Sequence, residues 1–217
     1  MTVIGFLHTA EVHVATFRDL CAELAPDWDD RHVVDESLLA RARVDGVTPE
    51  VVAALRARLS ELSGADVIVC TCSTIGAAAE GLDGAFGVPL MRVDRPMADA
   101  AVAAGGRIAV AFALESTWAT TGALIRDSAV RAGREVTLTP VPCLSAWPFF
   151  EAGDLPRYHR TIADRIRTTA GDVDVTVLAQ ASMTPAAGLL PGVPVLSSPR
   201  TAVAAAVQRV RNVRYAV

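Results

Sequence analysis

The chain contains no lysine, so all 20 of its basic residues are arginine. That absence excludes a pyridoxal Schiff base and a phosphate-loop lysine, and amino-acid chemistry here must proceed without the cofactor that ordinarily stabilises an α-carbanion. An excess of positive charge is missing too. With 24 acidic residues the formal net charge is −4, which argues against a nucleic-acid partner, because phosphates are bound by a cationic face that displaces their counterions. No apolar run reaches the length of a membrane span, so no membrane partner is expected. The opening MTVIGFLHTAEVH meets a His and a Glu too early for a secretory leader, and a cytoplasmic location is expected.

Cysteine is scarce: Cys21, Cys70, Cys72 and Cys143. In a cytoplasmic chain of 217 residues, long enough to bury a core without staples, they read as free thiols. Cys70 and Cys72 share one strand, and no second Cys or His pair has ligand spacing, so no metal is expected. No Gly-x-Gly-x-x-Gly follows a strand, since Gly105 and Gly106 come before one, and neither a nicotinamide nor a flavin is expected. The default partner is therefore a small molecule.

What the chain does have is short β-branched runs alternating with Ala-, Leu- and Arg-rich helical stretches, the pattern of βαβ units feeding parallel sheets. Strands are expected at about 2–7, 31–34, 66–71, 89–93, 107–113, 135–139, 173–179 and 193–197. TPEVVAALRARLSELSG reads as a helix capped by Thr48, with Pro49 in its first turn and Gly64 at its end, and LPRYHRTIADRIRTTAG has the same layout. Asp35 and Glu36 read as a helix start. Asp94 reads as an N-cap ahead of Pro96, with Arg95 beside it able to clamp a carboxylate. The order helix, apolar strand, small-polar turn, helix, GVP, strand, Pro, Ala-rich helix occurs twice, from Thr48 and again from Arg157. Two pseudo-symmetric flavodoxin-like lobes are expected, each a parallel sheet of about four strands flanked by helices. Their boundaries are 1–96 plus 201–217 and 97–200, with a ligand cleft between them.

DVIVC runs into the small polar turn TCSTIG, which sets Cys72 at a strand's C-terminal edge beside a helix N-terminus. Free N–H groups there lower a thiol's pKa and attract carboxylates. A free Cys is equally a small buried hydrophobe, which suits Cys70 in the strand and Cys21 on a helix. His8, at the end of the first strand, is either an acid/base group or a capping or interface histidine. His13 and His159 read as surface residues, and His32 as either.

VIVCTCSTIGAAAE resembles the first-half signature of the aspartate/glutamate/hydantoin racemase superfamily, in which Cys-Asn/Ser-Thr carries one catalytic thiol. VTVLAQASMTPAA is similar to that superfamily's second-half Gly-Cys-Ala-Gly-Met motif, while GFLHT and AVAFALESTWATT fall where members hold the substrate carboxylate. The resemblance implies a cofactor-independent racemase or isomerase acting on a small carboxylate, amino acid or hydantoin-like, as a homodimer or higher homo-oligomer. It implies Cys72 as the catalytic residue. As substrate-binding residues it implies His8, Thr9, Ser73, Thr74, Ser116, Thr117, Gln180, Ala181, Ser182 and Met183. The departure is Gln180, which stands where a two-base racemase keeps its second thiol and cannot be a base, and Cys143 does not align with that motif. Single-thiol members resemble the arylmalonate decarboxylases, although the lone Cys there lies in the second half. A decarboxylase, a cis-trans isomerase and a non-catalytic carboxylate-binding protein are therefore the alternatives.

Overall fold

The computed structural model describes residues 1–215. In chain order the elements are β1 (Val3–His8), α1 (His13–Leu24), β2 (Asp29–Val34), α2 (Glu36–Asp45), α3 (Pro49–Ser60), β3 (Val67–Cys70), α4 (Ser73–Glu80) and β4 (Leu90–Arg92). They continue with α5 (Arg95–Ala104), β5 (Arg107–Phe112), α6 (Glu115–Arg131), β6 (Thr137–Pro142), α7 (Trp147–Glu151), α8 (Leu155–Thr169), β7 (Val175–Leu178), β8 (Val195–Ser197) and α9 (Ser198–Tyr215). Two compact units result, one from Met1–Asp94 with the chain from Pro199 on, the other from Arg95–Ser198. Each holds one four-stranded sheet, ordered β2-β1-β3-β4 and β6-β5-β7-β8, and every pairing is parallel. The plan that repeats in the sequence thus repeats as topology.

In the first unit, Leu7, Ile68 and Cys70 face α2, α3 and α4, whereas Ile4, Phe6, Val67 and Val69 face α1 and α9. The alternation follows from the period-two pleat of a strand. Each large apolar side chain buried this way contributes about 1.5–3 kcal/mol. In the second unit α5 and α6 cover one face through Ile108, Val110, Val175 and Val177. Residues 144–146 and 181–189, both 3-10 helical, join α8 on the other face. Among the described residues no helix is long and apolar enough to cross a membrane.

Several boundaries differ from the sequence expectation for identifiable reasons. Thr48 does cap α3 through its hydroxyl, accepting from Val51 N–H at 3.4 Å, but the helix ends at Ser60. Its last turn tightens into i→i−3 bonds such as Leu62 N–H to Leu59 O, so Gly64 is not the terminator. Strand β6 runs through Pro140 and Pro142, three residues past the expected end near 139. It is an edge strand in which the odd residues donate to β5, for example Thr137 N–H to Gly106 O and Cys143 N–H to Phe112 O. The even positions face away from the sheet, where proline's missing donor costs nothing. Strand β2 begins at Asp29, earlier than expected, because its polar residues bond within the unit. Gly105 serves clearance: a Cβ there would fall 2.3 Å from Asp174, whose carboxylate accepts from the Arg107 backbone at 2.9 Å.

Candidate functional site

β1 and β3 are neighbours, and their C-terminal ends carry the first group of expected residues. Thr71 N–H donates to Leu7 O at 2.9 Å, which brings His8 and Thr9 beside Cys72, Ser73 and Thr74. Cys72 is the N-cap of α4, in extended conformation, and its side chain caps nothing. Ser73 and Thr74 form the first turn, half-buried and exposed respectively. Orphan N–H groups of that turn therefore open next to a thiol.

Of the four thiols Cys72 is the most accessible, at 8% exposure against 2% for Cys21 and 0% for Cys70 and Cys143. Burial drives the thiol of Cys21 up to about 12, that of Cys70 to about 12 and that of Cys143 to about 11, so these three stay protonated. The Cys143 thiol is also bonded to Val141 O at 3.5 Å.

His8 departs from the expectation of a histidine presented to ligand. It is fully buried, with Nδ1 2.9 Å from the Thr71 hydroxyl and Nε2 2.8 Å from His32 Nδ1. Burial first, then the nearby His32 and His13, lower its pKa to about 3, so its ring is neutral. Thr9 is buried just after it.

α4 is held from beneath by a pair the sequence reading did not find. Arg92 is buried and grips Asp94 with two bonds, 2.6 Å from Nε and 3.0 Å from Nη2. Its guanidinium lies against Gly76 so closely that a Cβ there would come within 3.0 Å of Nε. Asp94 is thus committed to Arg92. Arg95, the candidate clamp, reaches Asp127 at 2.7 Å and Ser128 at 3.0 Å on α6.

In the second unit the equivalent ends of β5 and β7 gather the remaining expected residues. Gln180 Oε1 accepts from Ala113 N–H at 2.7 Å, which orients the amide and leaves its NH₂ group as the donor. Ser116 and Thr117 lie in the first turn of α6. Ala181, Ser182 and Met183 open the 3-10 segment. The Ser182 hydroxyl is bonded to Tyr158 at 2.9 Å, and its carbonyl accepts from His159 Nε2 at 3.0 Å. His159 is therefore a structural partner and not a free surface residue. Met183 is fully buried in the core, so its side chain is unavailable to a ligand and only its backbone could take part.

Two parallel sheets of one strand order, each gathering small polar residues at its paired strand ends, with Cys72 at the N-cap position of the helix that follows one of them, define a two-sheet α/β protein. The Asp/Glu/Hydantoin racemase family matches residues 22–206, and the chain belongs to that family. Membership supports activity of the racemase or isomerase type. No curated protein matches by sequence. Among solved structures, the aspartate racemase of Picrophilus torridus is similar at TM-score 0.71 and 15% identity, over 97% of this chain and 95% of that one. A glutamate racemase isoform from Bacillus anthracis is similar at 0.66 and 18%, over 99% and 83%. Unliganded arylmalonate decarboxylase is similar at 0.59 and 17%, over 97% and 93%. At such identities the likeness establishes the fold alone.

Proposed function

We propose that the chain is a cofactor-independent racemase or isomerase that moves a proton at the α-carbon of a small carboxylate through the sulfur of Cys72. The observation that carries this is the position of Cys72 as N-cap of α4, its side chain making no capping bond and, at 8% exposure, less deeply buried than the other three thiols. A substrate carboxylate fits the N–H groups and hydroxyls of Ser73 and Thr74, where the helix dipole favours negative charge and also the developing enediolate. In the second unit the Gln180 amide and the first turn of α6 offer donors of the same kind.

Gln180 also favours a second reading. Its oxygen is tied to Ala113, so it supplies neither base nor thiol, and decarboxylation of a malonate-type acid needs only one proton delivered to one face. Incubation in D₂O with amino acids, hydantoins and substituted malonates, followed by NMR, separates these. α-Deuteration with inversion is the expected result; loss of carbon dioxide favours the decarboxylase, and binding without turnover a carboxylate-binding protein. Cys72→Ala is expected to lower turnover by about 10²–10⁴-fold with the fold intact. Full activity in that variant would remove the thiol from the mechanism.

A further inference from the structure

A cavity of about 330 Å³ opens between α5 and the end of α6, wholly within the second unit and large enough for a small organic ligand. Both helices end where the next strand of the parallel sheet begins, so the cavity lies toward the edge opposite the strand ends gathered around Gln180. Val102, Ala103 and Ala132 give it an apolar lining, and its other walls carry charge of both signs.

The positive wall comes from the way α6 stops. Gly133, at φ 63°, turns the chain, and Arg134 N–H donates back to Ala129 O at 2.9 Å. Arg134 is thereby brought against α5, where Nη1 donates to Ala103 O at 3.1 Å. That bond uses one of its several N–H groups, and no carboxylate pairs with Arg134 among the described residues. One turn earlier, Arg131 meets Asp127 at 3.0 Å, but Asp127 is shared with Arg95 at 2.7 Å. An exposed pair of this kind contributes little to stability, so Arg131 exchanges it for a ligand at small cost. Ser128 is buried at 2% exposure and accepts from Arg95 at 3.0 Å, while its own hydrogen has no acceptor among the described residues. The negative wall is Asp99 of α5, which is exposed and has no cationic partner among the described residues. Opposite charges therefore face one space without neutralising each other.

That arrangement selects the ligand. A phosphate or a dicarboxylate would meet Asp99 with like charge, and a simple amine would meet two guanidinium groups. A zwitterion satisfies both walls, its carboxylate on Arg131, Arg134 and the Ser128 hydroxyl, its ammonium on Asp99. We propose that this cavity is a second ligand site, separate from the Cys72 chemistry, for a neutral α-amino acid whose apolar side chain lies on Val102, Ala103 and Ala132, such as valine or leucine.

The test is ¹H–¹⁵N NMR of the full chain titrated with leucine, with leucine methyl ester, which lacks the free carboxylate, and with isocaproate, which lacks the ammonium. Leucine should shift the amides of Asp99, Ala103, Ser128 and Arg134, and the other two should bind about tenfold more weakly or worse. Asp99→Asn should weaken leucine about tenfold without weakening isocaproate, whereas Arg134→Gln should weaken both. Because Arg134 also holds Ala103 O, Arg131→Gln replaces it in the comparison if circular dichroism shows that Arg134→Gln does not fold. Leucine shifts that are absent, or confined to the residues around Cys72 and Gln180, overturn the site. Isocaproate binding as tightly as leucine, or Asp99→Asn without effect on leucine, overturns the zwitterion.

Discussion

Acid should destabilise the first unit through His8 in a measurable window. In the unfolded chain this imidazole takes a proton near 6.5, whereas in the folded protein burial and the neighbouring histidines delay protonation to about 3. Between those values the unfolded state binds the extra proton and the folded state does not, so stability rises with pH across the window. The contribution is fully present above 6.5 and is lost as the pH falls toward 3. At about 1.4 kcal/mol per pH unit, acidification from 6.5 to about 4 should remove roughly 3 kcal/mol, a large part of the ~5–15 kcal/mol that holds a typical domain. Urea unfolding of the native chain and of His8→Gln at a series of pH values isolates the effect, because the carboxylates common to both cancel in the difference. The native chain should be the more stable at neutral pH, and its advantage should shrink by about 3 kcal/mol on reaching pH 4. Parallel pH curves for the two proteins would refute the reasoning.

Other perturbations probe the supports of the two strand-end sites. Asp94→Ala leaves Arg92 buried without its bidentate partner and should cost about 3–5 kcal/mol in a denaturant titration. Gly76→Ala drives a methyl against the same guanidinium and should destabilise by about 1–3 kcal/mol, although alanine is the better helix former. Gln180→Leu deprives Ala113 N–H of its acceptor, so a loss of about 1–3 kcal/mol and weaker retention of carboxylate ligands are expected by calorimetry. Gly105→Ala should lower the melting temperature more than Gly106→Ala, because only the former Cβ runs into Asp174.

Eight strands and the capping position of Cys72 were legible because they depend on local signals: apolar runs, caps and a small-residue turn. Features that depend on register were not. His8 pairs with Val34 across β1 and β2, and His32 with Phe6, so the two imidazoles meet only once the strands are aligned. Asp30 falls just before the expected strand at 31–34, so its place beside His32 follows only once that alignment is known. Arg92 and Asp94 are likewise two apart on a strand exit, and only the approach of α4 through Gly76 shows why both are buried. Met183 was expected at a ligand because its motif is, yet the 3-10 turn directs its side chain into the core.

The first unit is sewn from two distant stretches, and that has a consequence for birth on the ribosome. By the time Ser197 is made, every strand of both sheets exists, but the side of β1 and β3 carrying Ile4, Phe6, Val67 and Val69 still awaits α9. The sheet begun earliest is therefore sealed latest. A nascent chain stalled before α9 would expose this greasy surface, which makes it the point at which chaperones would be recruited or clumping would start.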